Sequence, residues 1–269
     1  MTVAMEVSWG ACSDTGVRRA ANEDAYLAGT PVFLVADGMG GHVGGAEASA
    51  RALDGFRELV GAHATDVDTV RAAFARAVAR VDEIPRGTTA PGTTLSGVIV
   101  CEERGVPHWL VLNIGDSRTY RFAAGALEQV SIDHSAVQSL VDDGVLSIAE
   151  AERHPHRHVI TRAVGAGSSG QPDYWLFPVG HHDRILVCSD GLSKEVPAEV
   201  ISAILAVEDT ASAAAARLVR EALERGGRDN VTVVVVDARL DTRAGDVDDI
   251  DEDTVPRSNP AEEAHRVEL

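Results

Sequence analysis

Three strand-sized apolar runs in this chain begin or end within two residues of an aspartate. Val32-Phe33-Leu34-Val35 leads to Asp37-Gly38, and Ile185-Leu186-Val187-Cys188 leads to Ser189-Asp190-Gly191. Arg228-Asp229-Asn230 opens directly into Val231-Thr232-Val233-Val234-Val235-Val236. A strand end is a rigid mount, and a glycine beside the acid lets backbone or ligand approach closely. Carboxylates gathered at several strand ends repel one another unless cations sit between them. Hard divalent cations take several oxygen ligands, mixing carboxylates, backbone carbonyls and water. A lone Asp-Gly is more often a turn than a ligand. The set as a whole, in its order along the chain, points to an oxygen-only metal site.

Further strands are expected at Met5–Ser13, Pro31–Ala36, Thr94–Cys101, Trp109–Ile114, Thr119–Phe122 and Tyr174–Phe177, besides Arg184–Cys188 and Val231–Asp237. Helical periodicity covers Gly45–Leu59, Asp68–Val81, Ser135–Asp142, Pro197–Ala206 and Thr210–Arg225. In the last of these, Ala214, Leu218 and Leu223 can share one face. Strands come in clusters and helices in pairs, which argues for an α+β arrangement over a regular βαβ alternation. Residues 1–240 read as one domain. From Asp241 the composition shifts: 241–269 carries ten acids against three arginines, with few large apolar groups and two prolines. Such a segment buries too little to offset its ordering entropy, so an acidic disordered tail is expected.

Charge narrows the function classes. The net charge is −18, and an acidic field repels nucleic acid and anionic membrane surfaces. The cations are almost all arginine, and Lys194 is the only lysine. Cys12, Cys101 and Cys188 are an odd set beside apolar residues, which fits reduced thiols in a cytoplasmic protein. The first residues lack the basic and apolar regions of a signal peptide, and no apolar run is long enough to span a membrane.

Taken in order, the motifs resemble those of the metal-dependent protein phosphatases, the PPM or type 2C family, in their bacterial form. Ser13-Asp14-Thr15-Gly16, Arg19 and Asn22-Glu23-Asp24 resemble the opening motif, and 37–45 (DGMGGHVGG) the glycine loop. Gly92-Thr93-Thr94-Leu95, Gly115-Asp116-Ser117-Arg118, Asp133-His134-Ser135 and 160–165 (ITRAVG) follow, then Ser189-Asp190-Gly191-Leu192 and Gly227-Arg228-Asp229-Asn230. The resemblance spans about residues 7–238. It implies a four-layer αββα sandwich of two antiparallel sheets flanked by helices, with a small flap subdomain near 133–165. It also implies two Mg²⁺ or Mn²⁺ ions. Asp37 would bridge them, with the Gly38 carbonyl on one and Asp190 and Asp229 on the other. Glu23 and Asp24 would act mostly through metal-bound waters. Asp116, with Asp190, would hold a looser third ion, Arg19 would grip the substrate phosphate, and Asn230 would steady Asp229. The implied reaction is hydrolysis of phosphoserine or phosphothreonine on proteins by direct water attack, by a monomer opposing a Ser/Thr kinase.

Two positions depart from the family pattern. Arg228 stands where proline is common, and His158 where asparagine is usual. His42 reads either as a general acid for the leaving oxygen or as a loop histidine ordering its turn. Thr254, alone among acids in the tail, suits phosphorylation and a phosphothreonine-binding partner, or is part of a solubilising tail. The glycine loop is not a nucleotide cradle, since Ala46 rather than Lys-Ser/Thr follows Gly45. The competing readings are a binding or regulatory module with the phosphatase fold but little activity, and a metal-dependent phosphodiesterase or nuclease.

Overall fold

Both faces of the valine run are buried, and that places it at the centre of the molecule. The computed structural model describes residues 4–40, 44–86, 90–151, 153–156, 159–168, 170–241 and 265–267. In chain order the elements are β1 (Ala4–Asp14), β2 (Asp24–Gly29), β3 (Val32–Met39), α1 (Gly44–Asp54), α2 (Val67–Asp82), β4 (Gly92–Thr93), β5 (Leu95–Glu103), β6 (Val106–Ile114), β7 (Arg118–Ala123) and β8 (Ala126–Gln129). Then follow α3 (Ala136–Asp142), α4 (Ile148–Ala151), β9 (Val164–Gly165), β10 (Asp173–Pro178), β11 (Arg184–Cys188), α5 (Asp190–Ser193), α6 (Ala198–Val207), α7 (Ala211–Glu224), β12 (Val231–Asp241) and β13 (His265–Val267).

The strands form two antiparallel sheets. One runs β1-β12-β11-β7-β8; the other runs β13-β10-β6-β5-β3-β4-β9, with β2 also paired to β3. Phe33, Val35, Val98, Val111, Trp109, Ile185, Val187, Val234 and Val236 fill the space between the sheets. The alternate residues of the same strands face outward. Val32, Leu34 and Ala36 pack with Ala48, Ala52, Phe74 and Ala77 of α1 and α2. Val231, Val233 and Val235 pack with Ala214, Ala215, Leu218 and Ala222 of α7. Period-two alternation thus sends each residue of a central strand into one of two apolar layers, which is why these strands read as continuous apolar runs. The layers are helix, sheet, sheet, helix, as expected.

Helix starts follow capping chemistry. Asp66 accepts from the Thr69 amide at 2.8 Å before α2, and Thr210 accepts from Ala213 at 3.1 Å before α7. Gly45–Leu59 divides into α1 and a single 3₁₀ turn at Arg57–Leu59. Five strands and two helices lie outside the expected set: β2, β4, β8, β9, β13, α4 and α5. Each is short or, like β2 (DAYLAG), only partly buried, so its period is weak. The expected structureless tail from 241 needs a correction at two points. Asp241 ends β12, and His265–Val267 is a strand alongside Leu176–Tyr174 of β10. An open sheet edge pairs with any extended backbone, whatever its composition.

Candidate metal centre

The acidic residues meet at one end of the sandwich because the strand ends do. Asp24 opens β2 and lies directly opposite Asp37 of β3 in the ladder. Asp190 is the first residue of α5, two positions beyond β11, and Asp229 sits two positions before β12. Asp116 follows the end of β6.

A polar ladder fixes these mounts. The Asp37 amide donates to Thr94 Oγ1 at 2.9 Å, while its carbonyl accepts from the Thr94 amide at 2.9 Å. Thr94 Oγ1 lies 2.7 Å from Ser117 Oγ, which ties Asp37 to the Asp116 turn. Ser189 Oγ donates to Asp24 Oδ2 at 2.7 Å and accepts from the Thr232 amide at 2.9 Å. Asn230 staples the opening loop. Its side-chain NH₂ donates to the carbonyls of Thr15 and Ala21 at 2.8 and 3.0 Å, and its Oδ1 accepts from the Glu23 amide at 2.9 Å. The Asn230 amide donates to Asp229 Oδ1 at 2.8 Å. The expected support of Asp229 is therefore a backbone contact, and the Asn230 side chain serves the 15–23 loop. Gly16, at φ +77°, lets that loop lie against the Asp229 carbonyl, where a Cβ would collide. At Gly38 a Cβ would collide with the carbonyls of Gly45 and Glu23. Ser49 Oγ donates to that same Glu23 carbonyl at 2.6 Å.

Electrostatics mark the site as short of positive charge. Burial above all, then Asp24, Asp190, Asp116 and Asp229, pushes the Asp37 carboxyl well above its ordinary range. Burial also lifts Asp24 to about 7; hydrogen bonds from Ser189 and Thr232 oppose it, while Asp190 and Asp229 add to it. Asp116 reaches about 7 through burial and Asp190, against the pull of Lys194. Oδ1 of Asp24, of Asp116 and of Asp190 is buried and has no hydrogen-bond partner. Buried carboxylate oxygens without donors are costly. An oxygen-loving cation is what this donor set lacks, so the residues fit Mg²⁺ or Mn²⁺.

Two protein cations already stand at the rim. Arg19 Nη2 donates to Asp229 Oδ2 at 2.8 Å, and Lys194 Nζ is hydrogen-bonded to Asp190 Oδ2 and lies 3.9 Å from Asp116 Oδ2. Among the described residues, no three His, Cys, Asp or Glu side chains converge tightly enough to form a ready-made chelate. The carboxylates surround one another, yet two of them are held by these cations. The Arg19 pair is half exposed, so opening it costs little, about 0–1 kcal/mol.

The segment between Asp133 and Arg162 is tied down at both ends. Arg118 grips Asp133 through Nε and Nη2, at 2.9 and 2.7 Å. His134 Nδ1 accepts from the Gly115 amide at 3.2 Å, so its Nε2 carries the proton and donates to Asp173 Oδ2 at 3.1 Å. Arg162, at the far end of that segment, donates to Asp173 Oδ1 at 2.9 Å. His42, His158 and Thr254 lie outside the described residues.

The thiols are ruled out as nucleophiles. Burial raises Cys12, and it pushes Cys101 and Cys188 up to about 12, so none is a thiolate at neutral pH.

Comparison with known proteins agrees with this fold. A sequence profile described as protein phosphatase 2C matches residues 17–226. The chain belongs to the protein phosphatase 2C family. It is 38% identical over 241 residues to the serine/threonine protein phosphatase PstP of Mycobacterium tuberculosis, covering 87% of this chain and 46% of that protein. This 2C-family chain thus spans about half the length of that relative. It is 32% identical over 225 residues to the serine/threonine phosphatase Stp of Listeria monocytogenes, covering 80% of this chain and 88% of the other. Among solved structures, PstP of M. tuberculosis superposes with a TM-score of 0.78 at 36% identity, over 86% of this chain and 98% of that one. The PstP catalytic domain in complex with two manganese ions gives 0.76 at 34% identity, over 88% and 100%. The phosphatase MsPP of Mycobacterium smegmatis, in complex with cacodylate, gives 0.76 at 38% identity, over 88% and 99%.

Lys194, the Ser189–Thr232 pair and the Thr94–Ser117 pair lie beside the acids without being among the residues expected there. The spacing of Lys194 four residues after Asp190 was the available signal, since i,i+4 partners share a helix face. The hydroxyl pairs carry no linear signal at all.

Proposed function

We propose that this chain hydrolyses phosphoserine and phosphothreonine on proteins, opposing a Ser/Thr kinase. The observation that carries the reading is the trio of buried, donorless carboxylate oxygens on Asp24, Asp116 and Asp190. Asp37, the Gly38 carbonyl, Asp190 and Asp229 would hold two Mg²⁺ or Mn²⁺ ions, with Glu23 and Asp24 placed to accept hydrogen bonds from coordinated water. When bound, such ions supply Lewis-acid charge and make water acidic enough to attack phosphorus near neutral pH. Arg19 does the rest of the binding. Its guanidinium lies beside Asp229 and half exposed, so one swing of the side chain exchanges a carboxylate for a phosphate. A planar fork suits that anion because it offers two parallel charged hydrogen bonds. The Thr94–Ser117 and Ser189–Thr232 pairs hold the acids still, so little reorganisation is needed on substrate binding. The inert cysteines fit direct hydrolysis with no thiophosphate intermediate. They are unpaired, in keeping with a cytoplasmic enzyme, and no described helix is long and apolar enough to cross a membrane.

Phosphate release from a phosphothreonine peptide tests the reading. It should need added Mn²⁺ or Mg²⁺ and stop with EDTA. Tight peptide binding without release at saturating Mn²⁺ would leave a recognition module instead.

A further inference from the structure

The acid cluster meets an exposed arginine at Asp229 and a half-buried lysine on its Asp116–Asp190 side. Lys194 follows α5 directly, and its amide donates to the Asp190 carbonyl at 2.9 Å. One turn of helix therefore stacks its side chain over the Asp190 carboxylate, where Nζ bonds Oδ2 and comes within 3.9 Å of Asp116 Oδ2. Both carboxylates are buried, at 5% and 8% exposure, and each keeps an Oδ1 without a partner. The next residue pins the segment: Glu195 accepts from Arg228 Nε at 2.8 Å and from Nη2 at 2.9 Å.

The residue type matters. Every other side-chain cation of the Lys/Arg class in this chain is arginine. A guanidinium is a broad plane, whereas an ammonium is a compact point charge that can lie between two carboxylates much as a small ion does. An exposed i,i+4 pair would be worth a few tenths of a kcal/mol and would need no further reading. Here the anions are buried and repel each other, so removing the ammonium leaves two like charges uncompensated.

We propose that Lys194 is a built-in cation for the Asp116–Asp190 side of the cluster, taking the place a third divalent ion would fill, so that this chain loads two ions and not three. The inference rests on the metal-site reading above. Asp190 is then shared: Oδ2 faces the lysine, and Oδ1 remains for the two-ion side. The cost of any third ion includes displacing a tethered ammonium, whose effective concentration at the site is high.

Manganese stoichiometry decides it, read by calorimetric titration and by electron paramagnetic resonance of free Mn²⁺ on the full chain near pH 7.5. The wild type should bind two ions. Lys194→Met, which keeps the stem and removes the charge, should bind one more. Lys194→Arg should stay at two, and the double variant Lys194→Met/Asp116→Asn should return to two. Metal-free Lys194→Met should also melt below the wild type and recover with Mn²⁺. Equal stoichiometry in wild type and Lys194→Met overturns the inference and leaves the metal site intact. No Mn²⁺ binding to either protein removes the metal site, and this inference with it.

Discussion

Arg19 Nη2 lies 2.8 Å from Oδ2 of Asp229, a contact between positions 210 residues apart. It joins the opening loop to the start of the central valine strand at the rim of the acid cluster. Arg19→Ala should raise KM for a phosphopeptide several-fold while moving kcat little, if the guanidinium holds ground state and transition state alike. Stability should change by no more than about 1 kcal/mol, because the pair is half exposed. Steady-state kinetics beside a thermal melt checks both. A collapse of kcat at constant KM would give Arg19 a role confined to the transition state.

Asp37 sets activity against stability. Asp37→Asn should lower turnover by at least about 100-fold, more than loss of an outer partner of a metal ligand usually costs. Without metal, the same change should raise the melting temperature, because it removes a charge held among Asp24, Asp116, Asp190 and Asp229. A metal-free melt at pH 8 of both proteins is sufficient. A variant that melts lower would show that these acids do not repel as placed.

Metal removal should make stability depend on pH in a set direction. Asp24 and Asp116 are raised from 3.8 to about 7 by burial foremost. A raised carboxyl stabilises the fold while protonated, fully so below its unfolded value, and that contribution is lost as pH rises through the folded one. The metal-free protein should therefore melt at progressively lower temperature from about pH 4 to pH 8. Saturating Mn²⁺ should restore stability most at the upper end, since it binds the ionised acids. Calorimetric scans across that window, with and without Mn²⁺, test the sign.

Asp173 works the other way on the acid side. Burial would raise it, but hydrogen bonds from His134 and Arg162 win and hold it well below the usual carboxylate range. Its contribution is present above the unfolded pKa and lost as pH falls through the folded one. Asp173→Asn should cost about 1–3 kcal/mol at pH 7, and the gap from wild type should narrow as pH falls below about 3. A gap independent of pH would mean the carboxylate charge contributes nothing there.

Asn230 supports a loop more than it supports a ligand. Asn230→Ala leaves the carbonyls of Thr15 and Ala21 and the amide of Glu23 without their partner. A loss of about 1–3 kcal/mol is expected. Amide hydrogen exchange should quicken across 15–23 before the rest of the domain. Unchanged exchange there would break the link drawn between residue 230 and the Arg19 loop.

Sequence legibility followed burial. Arg184–Cys188 and Val231–Asp237 were readable as strands because Ile185–Cys188 and Val233–Val236 meet apolar layers on both faces. Asp24–Gly29 was not, since only Leu27 of that strand is buried. His265–Val267 was hidden for another reason: its place comes from the open edge of Tyr174–Leu176, not from its own composition. Asp37, Asp190 and Asp229 were visible as candidate ligands because each sits at the end of a legible strand. Lys194 was marked in the sequence by being the one lysine and by its four-residue spacing from Asp190, and neither feature names Asp116 as a second partner.

The linear order of residues by itself determined the α+β pattern of strands and helices and the resemblance to the family, which in turn implied the four layers. Apolar period and Asp-Gly punctuation are local properties, and they survive in any conformation of the chain. Only the tertiary structure decided which charges meet. Asp24 faces Asp37, Arg19 reaches Asp229, and Lys194 lies between Asp190 and Asp116 because strands far apart in sequence end at the same place. Coulomb interactions depend on distance through space and on burial, and neither quantity exists until the sheets have packed.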